Sequence, residues 1–330
     1  MTISTVRLKT RQLIRGTALL LTILVGTTLE ADREIDSFTI RMENDAPAGT
    51  DSRYTAGTEF DFAYRPYNKP NESASYHTTL ALGQLIFTPE NLVAEEIVKD
   101  DRPYAGWSYL RYGTHKSTYN SLKSWQLTLG LVGPSSFAED IQRAVHELID
   151  DRMPLGWHNQ LSDEFGYAIE HSRSKTHIDW QLGDELNLQF SESNRVSLGN
   201  IDSSLSQGFQ IRFGKRPDIA HSFDRIGSPA TGVTPRAPYL AVPKELRPSR
   251  VYWVLGGKMS YVAQNLFIDG NSNGRSHSVT RNPWVQEVET GLSYSKPGFK
   301  LSALMIYRSE EFREQEGGQS FASVSLTFRR

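Results

Sequence analysis

Beyond residue 31 the chain is written in short runs that alternate apolar and polar residues, with no apolar stretch long enough to cross a bilayer as a helix. In residues 58–64, Thr58, Phe60, Phe62 and Tyr64 share one face, while Glu59, Asp61 and Ala63 share the other. Successive side chains of a strand point to opposite faces, so this pattern predicts a sheet with one apolar and one polar surface. Strand signals recur at 37–42, 58–64, 77–87, 104–113, 125–131, 165–172, 177–198, 208–215, 251–261, 287–294, 299–307 and 321–328, about twelve runs in all. A soluble β-sandwich and a transmembrane antiparallel β-barrel both satisfy such a pattern.

Three features favour the barrel. Charged residues sit mid-strand on the polar face (Glu59, Asp61, Lys258, Glu287, Glu289), which a dry core would resist. Tyr104, Trp107, Trp125, Trp180, Trp253 and Trp284 fall toward strand ends, as interfacial girdles do. The chain closes on Val324, Leu326 and Phe328 alternating with Ser325 and Thr327. That ending is similar to the terminal strand by which outer-membrane assembly machinery recognises barrels. A hydrophobic share of 38% fits either class, because only alternate barrel residues face lipid. The fold expected is all-β: a transmembrane antiparallel barrel of about twelve strands with one short helix on the extracellular side.

The N-terminus fixes the compartment. Arg7, Lys9, Arg11 and Arg15 precede an apolar run at 18–25. That is the layout of a secretory signal peptide, assigned to residues 1–31, with an uncleaved anchor as the runner-up. The run is shorter than the ~20 apolar residues of a spanning helix. The barrel is then assigned to 32–330. Balanced charges leave no nucleic-acid footprint, and the absence of cysteine excludes disulfides and thiolate metal sites. With both termini in the periplasm, strand parity makes 43–55, 88–103, 133–164, 199–207, 263–283 and 309–318 external loops. The proline-rich 217–248 segment falls on the periplasmic side as an irregular connection. Asp184 falls on the apolar side of the 177–198 run, which implies a bulge or a register shift there.

Within 133–164 lies the one amphipathic helix. Pro134 and Ser135 start it, Phe137, Ile141, Val145 and Leu148 form its apolar stripe, and Asp150, Asp151, Pro154 and Gly156 end it. Glu139, Gln142 and His146 fall on an adjacent stripe. That polar face is either merely wet or the carrier of an oriented histidine. By parity it shares a rim with Asn44, Asp45, Asp51 and Thr55, hard oxygen ligands of the kind that suit Ca²⁺ or Mg²⁺. A neutral imidazole beside such a cation is sufficient for ester hydrolysis. Asn and Asp before Pro-Ala-Gly also make an ordinary turn, and from these residues alone the turn reading stands ahead.

A set of motifs in order along the chain alters that balance. Glu43-Asn44-Asp45, Thr50-Asp51-Ser52-Arg53-Tyr54-Thr55-Ala56-Gly57, Thr88-Pro89, Asp101-Arg102-Pro103-Tyr104-Ala105-Gly106-Trp107, Gly130 to Pro134, the Gln142/His146 pair, and Gly156-Trp157-His158-Asn159-Gln160-Leu161 with Glu164 resemble the outer-membrane lipid A 3′-O-deacylase (LpxR) family. The resemblance is dense to residue 170 and thinner afterwards. It implies a twelve-stranded barrel and Ca²⁺-dependent removal of the 3′ acyloxyacyl group of lipid A, or lipopolysaccharide, in the outer leaflet. Carried over, His146 is the base that activates water. Asn44, Asp45 and Thr55 form the cation and oxyanion side, with Asn44 and Asp45 as metal ligands and Gln142 in support. Lys99 is the nearest counterpart of a family lysine in the loop after strand three, and Arg152 stands where one branch has an acidic residue. Arg53 and Arg102 are set to meet lipid A phosphates or to pair with Asp51 and Asp101.

Other readings stay open at this point. His115-Lys116-Ser117 and Ser276-His277-Ser278 superficially suggest a serine hydrolase, but parity places them away from the lipid A leaflet or in a polar loop, as solvated residues. His158 and Trp157 are read as shaping the loop beneath the site, with His158 also a second candidate base. A catalytically silent barrel (structural, adhesive or a small pore) and an outer-membrane phospholipase are the alternative functions.

Overall fold

The computed structural model describes residues 34–48, 53–64, 67–68, 74–215, 224–228 and 249–330. The leader assigned to 1–31, Asp51 and most of the 217–248 connection lie outside the described residues. The barrel strands are β1 (Ile35–Asn44), β2 (Arg53–Tyr64), β3 (Ser75–Thr88), β4 (Ala105–Ser117), β5 (Ser121–Val132), β6 (Glu164–Leu182), β7 (Leu186–Gly199), β8 (Asp202–Lys215), β9 (Arg250–Asn265), β10 (Trp284–Lys296), β11 (Phe299–Arg308) and β12 (Gln319–Arg329). Tyr67–Asn68 adds a two-residue ladder beside the start of β3. Each strand pairs antiparallel with its chain neighbours, and β12 pairs with β1, so the cylinder is closed. Closure satisfies the strand edges, which lipid could not.

The alternation sorts outside from inside. Met42, Phe60, Leu127, Leu129, Leu131, Phe165 and Leu205 point outward and are exposed. Tyr167, Tyr261, Trp284 and Tyr307 lie toward the rim distal to the termini, and Trp125, Trp180, Trp253 and Tyr294 toward the proximal rim, as two girdles on an apolar wall. Tyr104 and Trp107 do not belong to either girdle. Both are buried, Trp107 inside the lumen and Tyr104 beneath a distal loop.

A twelve-strand lumen is too wide to be filled by small side chains alone, and long charged ones fill it. Glu59 accepts from Tyr109 Oη (2.7 Å) and Arg111 Nη2 (2.5 Å) and also pairs with Arg41, which reaches Asp61 at 3.0 Å. Glu287 gathers Arg225 (2.8 Å), Lys258 (2.8 Å) and Arg308 (2.7 Å). Arg225 belongs to the β8–β9 connection. The described part of that irregular segment, 224–228, therefore lies inside the barrel, where Asp224 also pairs with Lys300 at 2.7 Å. At the distal mouth a four-residue helix (Leu266–Asp269), not expected from the sequence, drives Phe267 onto Phe87, ring centroids 4.4 Å apart, beside Trp107.

The expected 177–198 strand is two half-strands. A turn at 183–185 separates β6 from β7, and Gly183 supplies its positive φ (70°). Asp184 is thus a turn residue, and the apparent conflict in its facing disappears. The external connection expected at 199–207 shrinks to Asn200 and Ile201. One turn moved and another shortened, so strand number and parity are unchanged.

Candidate active site

The loop after β5 folds back onto the outside of the barrel. Pro134–Ser136 is a 3-10 turn, and Phe137 takes a left-handed conformation (φ 58°) that redirects the chain into helix α1 (Ala138–Ile149). The α-helix therefore starts four residues later than Pro134. Two outward side chains of the wall grip the turn: Gln84 Nε2 and Ser108 Oγ both donate to Ser136 O, each at 2.8 Å. Next to this pair on the outward face of β4, Gly106 stands opposite Ile86 and lets the helix touch the wall. A Cβ there would lie 2.1 Å from Ala138 Cβ and 2.3 Å from Ser136 Oγ.

This packing inverts the ordinary rule for an amphipathic helix. Ala138, Gln142 and His146, spaced four apart, form the buried stripe, while Phe137, Ile141, Val145, Leu148 and Ile149 are 42–84% exposed. The polar face is not wet but turned to the protein. That exposed face is apolar, like the outer barrel wall beside it.

His146 is fixed by the turn that ends the helix. Asp150 adopts a left-handed conformation (φ 56°), and the chain bends so that Arg152 O sits 2.6 Å from His146 Nδ1. A carbonyl oxygen only accepts, so Nδ1 carries the proton and Nε2 of the neutral ring is the basic nitrogen. Gln142 Oε1 accepts from the indole Nε1 of Trp157 at 2.8 Å. Its Nε2 is buried and has no partner among the described residues. A donor left so costs about 1–3 kcal/mol.

One outward row links this helix to the β1–β2 hairpin. Asn44 stands opposite Ala56, Ala56 opposite Ile86, and Ile86 opposite Gly106, under Ala138. Ala56 and Ile86 pack in one cluster with Leu92, Tyr104, Ala138 and Trp157. The row from Gly106 to Asn44 spans about 14 Å, three strand spacings. Asn44 Oδ1 accepts from Ala46 N (2.8 Å), closing the hairpin turn. Thr55 sits at a β-bulge, which re-aims its side chain onto Thr88, with Oγ1 atoms 2.7 Å apart. Asp45 is fully buried and accepts from Gln319 Nε2 at 3.3 Å, on the β12 side of the hairpin. No group of three or more His, Asp or Glu side chains able to hold a metal occurs among the described residues. The donors here are all oxygens (the Asn44 amide, the Asp45 carboxylate and the Thr55 hydroxyl of the hairpin, with the Thr88 hydroxyl of β3), a set that fits a hard cation completing its shell with water or substrate.

Other expected residues lie elsewhere. Arg102 is buried in the distal mouth, bonded to Glu311 (3.2 Å) and stacked over Phe87 (4.5 Å), so it does not face phosphates at the surface. Nor is it paired with Asp101, whose carboxylate instead accepts the Glu90 and Arg102 backbone amides. Burial pulls the Arg102 guanidinium below its ordinary pKa, against Glu311 and Asp101. Arg53 is 7% exposed and reaches Glu90, Glu316 O and Gly317 O. Lys99 is exposed on the loop after β3. His115 is not solvated but buried, between Thr79 and Ser124 hydroxyls. His277 Nε2 binds Asp101 O, and His158 is exposed beside Asn159. A cavity of about 320 Å³ occupies the lumen, lined by residues such as Arg111, Arg225 and Glu287, and neither Gln142 nor His146 borders it. From sequence, Trp157 is expected to shape the loop beneath the site and not to bond Gln142, and Gly106 is given no role of its own; a glycine inside a strand, marking close backbone approach, is the available signal for the latter.

Known proteins fit this architecture. The family model described as "Outer membrane protein LpxR" matches residues 17–330. No curated protein matches the chain by sequence. Among solved structures, LpxR from Salmonella typhimurium is similar in fold, with a TM-score of 0.74 at 19% identity, covering 89% of this chain and 100% of that one. The beta domain of the Bordetella autotransporter BrkA aligns with a TM-score of 0.47 at 9% identity, over 90% of this chain and 100% of that one. A family match from residue 17 to the last residue, carried on a closed twelve-strand barrel, establishes that this chain belongs to the LpxR outer-membrane protein family.

Proposed function

We propose that this outer-membrane protein is a carboxylic ester hydrolase that removes the 3′-linked acyloxyacyl group of lipid A. The observation that carries the reading is His146: a buried imidazole on the same stripe of α1 as Ala138, which packs on the outer barrel wall, with Nδ1 held by Arg152 O and Nε2 left as the base. A base on the lumenal side would meet water and small solutes. A base in this seam meets what diffuses in the outer leaflet, and the apolar face of α1 places the seam among acyl chains.

His146 Nε2 takes a proton from water as that water attacks the ester carbonyl, and returns it to the 3′ oxygen as the carbon–oxygen bond breaks. Arg152 O, by holding Nδ1–H, stabilises the imidazolium formed between these steps. Gln142 Nε2 offers a hydrogen bond to the carbonyl oxygen as negative charge develops there. Asn44, Asp45 and Thr55 are the residues that would hold Ca²⁺, which when bound polarises the carbonyl. Chelation with EGTA is expected to lower activity on the order of 10²–10³-fold, with recovery on adding Ca²⁺ back. An unchanged rate would remove the cation from the scheme.

Gly106→Val gives a second expectation. The added side chain meets Ala138 and Ser136, so the helix must lift from the wall. Hydrolysis should fall at least about tenfold, since small misplacement of catalytic groups is costly, while the heat-modifiable gel mobility of the closed barrel is retained. The test of the function itself is mass spectrometry of lipid A from cells expressing the protein. Loss of the 3′ acyloxyacyl mass supports the reading. Intact lipid A beside a folded, surface-located barrel would leave a silent barrel, and release of phospholipid acyl chains instead would make it a phospholipase.

A further inference from the structure

We infer that Trp157 is a positioning residue for this reaction: its indole N–H decides which end of the Gln142 amide faces the substrate. The inference rests on the hydrolase reading above. The two ends of a glutamine amide differ only in chemistry, and either can turn toward a neighbour. An indole N–H donates and never accepts, so only Oε1 of Gln142 can satisfy Trp157 Nε1, as it does at 2.8 Å. With Oε1 committed, Nε2 must point the other way. There it is buried and has no partner among the described residues, on the same helical stripe as His146 and one turn before it. The amide is thereby held as a donor, the polarity that a developing oxyanion requires. Turned over, it would present an oxygen to that charge and repel it.

Trp157 is itself immobilised for the task. It is fully buried, its ring lies 5.0 Å from Tyr104, and Tyr104 Oη donates to Leu92 O at 3.0 Å. Gly156 allows this approach, because a Cβ there would lie 2.6 Å from the Tyr104 ring. The fixed ring leaves the amide one orientation, and a phenylalanine in its place would fill most of the space and set no polarity.

The experiment is steady-state kinetics of the purified full-length protein on lipid A, comparing wild type, Trp157→Phe, Gln142→Leu and the double variant. Trp157→Phe should lower kcat by roughly tenfold to a hundredfold with KM within about twofold, the signature of a transition-state contact. The double variant should be no slower than Gln142→Leu alone, because the tryptophan acts only through the amide. Should Trp157→Phe fail to assemble, 3-benzothienylalanine at position 157 keeps the ring shape, removes only the N–H, and should give the same loss in kcat. Wild-type kcat in either Trp157 variant, effects that multiply in the double variant, or a change in KM alone would overturn the inference. An inactive wild-type protein would instead overturn the hydrolase reading on which it rests.

Discussion

His146→Ala is expected to lower hydrolysis of lipid A by on the order of 10²–10⁴-fold, the range that general-base catalysis contributes. The ring has two functions that one substitution removes together: Nε2 as base, and Nδ1–H as a tether to Arg152 O. His146→Asn separates them. An asparagine amide nitrogen can stand where Nδ1 stands and donate to the same carbonyl, yet it presents no basic nitrogen. Equal loss in both variants assigns the effect to the base. Recovery of most activity in His146→Asn would assign His146 to anchoring the turn after α1. In both variants the barrel should keep the unfolding midpoint of wild type, since the seam lies outside the lumenal network.

Glu59→Ala should have the opposite profile. Glu59 is fully buried and is shared by Arg41, Arg111 and the Tyr109 hydroxyl. Removing it leaves Arg111 without the carboxylate it pairs with and takes from Arg41 one of the two carboxylates, Glu59 and Asp61, that it bonds. Breaking a buried pair from one side costs about 3–5 kcal/mol, because a charge is stranded away from water. The expected result is a lower midpoint in denaturant titration of the refolded barrel, with rate per folded molecule near wild type. A stability change below about 1 kcal/mol would mean that lumenal water screens these groups as a surface would.

The sequence carried the barrel clearly, because lipid outside and charge inside impose the two-residue period on every strand. Glu59, Asp61, Glu287 and Glu289 turned inward as their alternation required. Strand ends were less legible. The turn at 183–185 rests on one glycine and short polar neighbours inside an extended run, with nothing long-range in the pattern to place it. Tyr104 and Trp107 show that an aromatic near a strand end is a girdle residue only if its parity faces outward.

The site was legible in part. The helical period of Phe137, Ile141, Val145 and Leu148 was readable, but which face is buried was not. Apolar residues are expected to turn inward only when the exterior is water, and beside the outer wall of a membrane barrel the helical period alone does not say which face that is. Arg53 and Arg102 occur in loop motifs, yet the groups that hold them, Glu316 O and Gly317 O for the first and Glu311 for the second, lie far away in sequence. Trp157 needed Gln142 beside it before its N–H had any meaning.

The most direct test is hydrolysis in H₂¹⁸O by the purified barrel reconstituted with lipid A and Ca²⁺, followed by mass spectrometry of both products. Attack of water on the carbonyl carbon is expected to place one ¹⁸O in the released acyloxyacyl acid and none in the 3′-hydroxyl of the sugar. Label at the sugar, release without label, or no release at all would contradict a water-attack hydrolase working from the outer wall of this barrel.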